Sequence, residues 1–211
     1  MKNFSLLLIL TVLLTSCASG YKKINPERLN YVSKNFVNNI ALEYKYDLLE
    51  KKYKKNETKK EVKLIAVKIT NNSDKDIMFG RDFKFIYENN NDVHLMETEK
   101  LYKAIKQSPA SYLWYLLLSP MQFYSGSTTT NNNGMVETKP ANTFPIGLFL
   151  GPGLAGGNML AASSANKNFK NELMQFDLLG KTIKPGETAY GLVGALSTNY
   201  DSIKIEVQDQ Q

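Results

Sequence analysis

Between Gln107 and Asn166 the chain carries only two charged residues, Glu137 and Lys139, while charges are dense on either side. A break that sharp divides the chain into two physical environments. The charge-poor stretch holds two apolar runs, SPASYLWYLLLSPMQFY (Ser108 to Tyr124) and FPIGLFLGPGLAGGNMLAASSA (Phe144 to Ala165), joined by the Asn- and Thr-rich Ser125 to Thr143. Ser108 before Pro109 suits an N-cap and a first helical position, and Pro120 ends or kinks that helix. In the second run Pro152 limits the helix to the residues after it. Gly153, Gly157, Ala161 and Ala165 then fall four apart, a stripe of small residues that lets another helix approach closely. The expectation is a helical hairpin inserted at residues 107–166. Each helix has roughly 12 to 16 residues against the ~20 that a bilayer span requires. The hairpin therefore packs on its own domain, dips into one leaflet, or is buried in a partner.

The flanks alternate instead. Ile40, Leu42, Tyr44, Tyr46 and Leu48 are spaced by two, as are Ile65, Val67 and Ile69, which Asn71-Asn72-Ser73-Asp74 ends. The lysine-rich KKYKKNETKK (Lys51 to Lys60) between them reads as a basic turn, and the interspersed Glu50, Glu57 and Glu61 favour a solvated tip over a phosphate site. Ile77 to Phe79, Phe83 to Tyr87 and the VHLME segment extend the strand pattern, and Leu101 and Ile105 give residues 98–107 a helical spacing. After the polar NKNFKNEL, strand signals resume at Gln175 to Leu179. The ending, with Ile183, Pro185-Gly186-Glu187, Gly191-Leu192-Val193 and the alternating Ile203, Ile205 and Val207, resembles the closing strands of immunoglobulin-like domains in bacterial secreted proteins. That resemblance implies a mainly β fold with an α insertion: an Ig-like antiparallel β-sandwich of about seven strands over residues 31–106 and 167–211, plus the helical hairpin. Another small antiparallel barrel or sandwich is the runner-up.

The amino terminus says where such a domain works. Lys2 precedes an apolar run from Phe4 to Leu14, which as a helix is roughly 16 Å long, about half of a ~30 Å hydrocarbon core. This is an export signal rather than a permanent span. Leu14-Thr15-Ser16-Cys17 resembles the lipobox of bacterial lipoproteins at every position. The resemblance implies that residues 1–16 are a signal peptide, that signal peptidase II cuts before Cys17, and that Cys17 carries a diacylglyceryl group and an acylated amine, with palmitate among the acyl chains. Residues 17–30 are then a lipidated tether, and by resemblance to the lipoprotein sorting rule Ala18 at the second mature position implies delivery to the outer membrane. Cys17 is the sole cysteine, so the fold rests on its apolar core without a disulfide. The net charge of +6 becomes +5 once Lys2 is removed, and an exported basic protein meets anionic lipid headgroups and envelope polymers rather than nucleic acid.

Reactive groups are scarce. His94, the only histidine, stands opposite its apolar neighbours Val93 and Leu95 and reads as a surface residue. There is no second histidine for a His-based zinc site, no GxSxG elbow and no EF-hand spacing around Asp74-Lys75-Asp76 or Asn89 to Asp92. Gly151 to Gly156 matches GxGxxG, but the acid about 20 residues on, Glu172, lies in a polar stretch instead of at the end of a second parallel strand. Tyr112, Trp114, Tyr115, Phe123 and Tyr124 are candidates for membrane or ligand contact, with core packing against Leu113 and Leu116 to Leu118 as the competing role. The resulting expectation is a non-enzymatic, lipid-anchored cell-envelope protein with no catalytic residues, metal or cofactor. Its partners are the membrane through Cys17 and an envelope protein, and the alternative is an adhesin-like glycan- or ligand-binding surface lipoprotein.

Overall fold

Asn38 and Asn39 both sit at positive φ, 48° and 62°. That is the backbone of a type I′ hairpin turn, and asparagine tolerates it better than most residues. The turn joins β1 (Ser33–Val37) to β2 (Ile40–Lys45), with Val37 opposite Ile40. The computed structural model describes residues 17–126, 128–130, 136–138 and 142–208. From β2 the chain runs through α1 (Lys51–Lys59), β3 (Val62–Asn71), β4 (Ile77–Met78), β5 (Phe83–Tyr87), β6 (Leu95–Met96) and α2 (Thr98–Ile105). A 3-10 helix (Pro109–Leu118) and the short strands β7 (Phe123–Ser125), β8 (Thr128–Thr130), β9 (Val136–Thr138) and β10 (Asn142–Phe144) come next. The long α3 (Gly147–Gln175) leads to β11 (Thr182–Ile183), β12 (Thr188–Leu196) and β13 (Ile203–Val207). The expected signal peptide, residues 1–16, lies outside the described residues.

The chain divides into two units, one of Met1–Ala18 with Ser108–Ser163, the other of Ser19–Gln107 with Ser164–Gln211. The larger is built on a five-stranded antiparallel sheet in the order β1-β2-β3-β12-β6. On one face Ile65, Val67, Ile69 and Val193 meet Phe79, Phe83, Phe85 and Ile205. These come from the paired strands β5–β13 and from the neighbourhood of β4–β11. The free edge of β13 is held to the sheet by side chains: the Ile203 N–H donates to the Tyr44 hydroxyl (3.2 Å) and the Ile205 N–H to Asn35 Oδ1 (3.0 Å).

The other face is covered by helices. Val62, Leu64, Ala66 and Leu192 lie under Tyr53 of α1, Leu101 and Ile105 of α2, and Phe169 and Leu173 of α3. Gly194 of β12 has no side chain because a Cβ there would run into Leu101. With both faces covered, eight of the ten residues of β3 are buried, the pattern of a strand in the middle of a layered structure. The fold is thus mixed α/β with antiparallel sheets.

The helical layer is where expectation and structure part. Lys51 to Lys59 is not a turn but α1, which buries Tyr53 and Glu57 one helical turn apart; Glu57 Oε1 accepts the Leu64 N–H at 2.9 Å, and Lys54 lies 3.2 Å from Oε2. The polar NKNFKNEL belongs to α3, whose Phe169 and Leu173 are completely buried. Gln175 ends that helix instead of opening a strand. Pro152 lies inside α3 and does not delay its start. Residues 19–29 are not a loose tether either: Tyr21 rings contact Tyr53 and Phe169 at 5.3 and 5.2 Å, Ile24 is buried, and a short 3-10 turn comes next at Pro26–Arg28.

Candidate functional site

In the smaller unit the inward and outward faces derive from helix type. A 3-10 helix repeats every three residues, so Tyr112, Tyr115 and Leu118 fall on one line. Tyr112 and Tyr115 are buried with their rings stacked 6.4 Å apart, and they pack with Ala155 and Ala162 of α3. The other two lines, Leu113 with Leu116 and Trp114 with Leu117, face outward; Trp114 is 73% exposed and Leu117 68%. Phe123, Tyr124, Phe144, Leu148 and Phe149 are exposed as well, and the Phe144 and Phe149 rings stack at 6.0 Å. The aromatic group singled out in the sequence is therefore split. Trp114, Phe123 and Tyr124 are available for contact, while Tyr112 and Tyr115 are core.

The small-residue stripe of α3 is displaced by one face from its expected position. Gly153 and Gly157 are exposed, with nothing within 4 Å of a Cβ, and Ala161 is exposed; Ala165 is buried, in the core of the larger unit. The close approach is made by Gly147 and Gly151. A Cβ on Gly147 would lie 2.6 Å from the Ser119 carbonyl oxygen and 2.7 Å from the Met121 nitrogen, and one on Gly151 would lie 2.5 Å from Ser119 Oγ. Backbone cannot move aside cheaply. Gly147→Val should cost about 3 kcal/mol in this unit through overpacking, whereas Gly157→Leu should be neutral or gain up to about 1 kcal/mol of helix propensity. Limited proteolysis of Ser108–Ser163 reads the difference; equal sensitivity of the two variants would contradict this packing.

Cys17 belongs to the same unit and is exposed. Its neighbour Ala18 donates its N–H to Asn158 Oδ1 at 2.5 Å and packs with the buried tyrosines. Burial pushes the Tyr112 hydroxyl above the ordinary tyrosine range, and Cys17 adds to the shift.

The chain passes between the units at Ala18–Ser19, Gln107–Ser108 and Ser163–Ser164. Within the larger unit these passages are held by a clasp of buried amides. The Ser19 N–H donates to Gln107 Oε1 (3.0 Å), and Gln107 Nε2 donates to the Ser19 carbonyl (2.6 Å). Asn166 Oδ1 accepts the Gln107 N–H (2.9 Å) and the Tyr53 hydroxyl (3.1 Å), while Asn166 Nδ2 donates to the Gln107 carbonyl (2.9 Å). A second buried acceptor fixes the strap that runs on from Ser19. Glu172 takes the Tyr21 hydroxyl (2.5 Å), the Ile24 N–H (3.1 Å) and the Asn25 N–H (2.9 Å). Burial, then the bond to Glu172, pushes the Tyr21 hydroxyl far above its ordinary range. Sequence reasoning missed Ser19, Gln107, Asn166 and Glu172 in these roles. That Gln107 and Asn166 stand at the two borders of a charge-poor insertion was the only signal.

His94 is exposed. The Gly151 to Gly156 segment lies inside α3, where its backbone N–H groups belong to the helix, and Glu172 is engaged by the strap. Among the described residues no three His, Cys, Asp or Glu side chains come together to hold a metal ion, and no helix is long and apolar enough to cross a membrane. No protein-family model, curated protein or solved structure matches the chain.

Proposed function

We propose that the protein is a lipid-anchored cell-envelope protein, a non-enzymatic binding or scaffolding module held at the outer membrane through acylated Cys17. Its apolar unit contacts that membrane or a partner protein lying there. One observation carries the reading: Cys17 and the exposed apolar side chains around Trp114, Leu117 and Phe149 belong to one unit, whose Ser108–Ser163 segment has only Glu137 and Lys139 as charges. Membrane is the favoured contact, because Trp and Tyr suit the interface between headgroups and acyl chains and no charge among the described residues of that segment other than Glu137 opposes burial. Two or three acyl chains, at ~0.8 kcal/mol per buried methylene, hold far more firmly than one. We further infer that β5–β13 and β4–β11 are the second layer of an Ig-like sandwich that has acquired a helical layer on its outer face. The shared core between the β layers and the side-chain ties at β13 support this.

Cys17→Ser tests the anchor. Fatty-acid labelling should disappear completely and the precursor should remain uncut by signal peptidase II; normal labelling would overturn the lipoprotein reading. Exposed Trp114 also favours a second reading, glycan binding by an adhesin-like surface. Saturable binding of an envelope glycan, abolished by Trp114→Ala, would put that role in place of the membrane contact.

A further inference from the structure

Four lysines gather at the clasp end of the helical layer. Lys103 and Lys106 lie on or just after α2, Lys167 and Lys170 on α3. The Lys106 and Lys170 ammonium groups lie 5.4 and 5.2 Å from the centre of the Tyr102 ring, so the two helices bring their charges to one place. Glu99 is the acid they share, 2.9 Å from Lys170 and 3.8 Å from Lys103, and these lysines hold its carboxyl below the usual range. Four cations against one carboxylate leave a local positive excess. Lys103, Lys106 and Lys167 are exposed.

The position of this cluster along the chain gives the excess a use. Lys106 precedes Gln107 and Lys167 comes directly after Asn166, two members of the clasp, and the third, Ser19, is two residues from Cys17. Two residues span at most about 7 Å. If Cys17 is acylated, the clasp is held within that distance of the lipidated residue, and a lysine side chain covers what remains to the headgroups. We propose that Lys103, Lys106, Lys167 and Lys170 form a seat for anionic phospholipid headgroups, so that the larger unit makes its own contact with the leaflet that holds the anchor. This rests on the lipoprotein reading for its location. Its charge chemistry is tested separately.

The full mature chain bearing Cys17→Ser is mixed with vesicles of phosphatidylcholine alone and with vesicles containing about one third phosphatidylglycerol. Binding to the anionic vesicles should be the tighter and should lose that advantage at high salt, where surface charges are screened. A lysine near an anionic surface contributes about fivefold in affinity, so Lys106→Gln with Lys167→Gln should weaken anionic binding about 25-fold and leave neutral binding unchanged. Lys75→Gln with Lys184→Gln removes the same charge from exposed positions on loops of the β side and should have little effect. A chain that ignores neutral vesicles yet binds anionic ones through Lys106 and Lys167 supports the seat while counting against the apolar contact. Equal binding to both vesicle types, a preference that survives the double substitution, or the same loss from the control pair overturns it.

Discussion

Replacing Ser108–Ser163 by a short Gly/Ser linker should leave a larger unit that melts cooperatively near the Tm of the parent, and replacing Gln107–Asn166 should lower that Tm sharply. The two deletions differ by four residues in all. The shorter keeps Gln107 and Asn166, whose backbone and side-chain atoms already lie 2.9 Å apart, so the linker closes a small gap. Changing the length of such a loop costs only ~0.6 kcal/mol per doubling. The longer deletion removes both clasp amides and the buried Ala165, and takes from the Ser19 N–H and the Ser19 carbonyl the partners that the clasp supplies. Buried polar groups stripped of partners cost about 1 to 3 kcal/mol each, a large share of the ~5 to 15 kcal/mol that holds a domain together. The expected gap in Tm is on the order of 10 to 20 °C. Indistinguishable melting curves would mean that the clasp contributes nothing.

That boundary shows what the sequence could and could not reveal. The strands β2, β3, β5 and β13 were legible from apolar residues two apart on a buried face, as Ile40, Leu42 and Tyr44 are, and β12 from the Pro185-Gly186 turn before it. So was α2, from Leu101 and Ile105. α1 was not, because a helix with one buried aromatic and a buried carboxylate has no apolar period to detect; Glu57 is held inside by the Leu64 N–H and Lys54, which only the fold brings to it. The same holds for Phe169 and Leu173, whose stripe is interrupted in the sequence by Lys167, Lys170 and Glu172. β1 carried a readable sign in Asn38-Asn39, a pair suited to a tight hairpin, but its own residues alternate only between half-buried and exposed and give no apolar face to trace. For the apolar unit, composition revealed the environment and misassigned the face. Glycines at 147, 151, 153 and 157 satisfy an i+4 pattern in two registers, and only the position of Ser119 and Met121 selects the first.

Glu172→Leu should cost the larger unit about 5 kcal/mol. The carboxylate is itself buried and accepts three donors: the Tyr21 hydroxyl and the N–H groups of Ile24 and Asn25. Hydrogen bonds to a charged acceptor are worth about 1.5 to 3 kcal/mol each, and a leucine takes the acceptor away from all three donors at once. Tyr21→Phe removes one bond and keeps the ring between Tyr53 and Phe169, so it should cost about 2 kcal/mol and leave the strap in place. The two variants separate loss of the acceptor from loss of a single one of its donors. In Glu172→Leu the strap should come away from the helical layer, and trypsin should then cut after the exposed Lys22 and Lys23 at a concentration that spares the parent chain. Unchanged cleavage with an unchanged Tm would show that Tyr21 and Ile24 hold the strap by packing alone. The clasp is independent of this acceptor: Ser19 is held by Gln107, so in Glu172→Leu the release should run from Tyr21 to Arg28 and stop at Ser19.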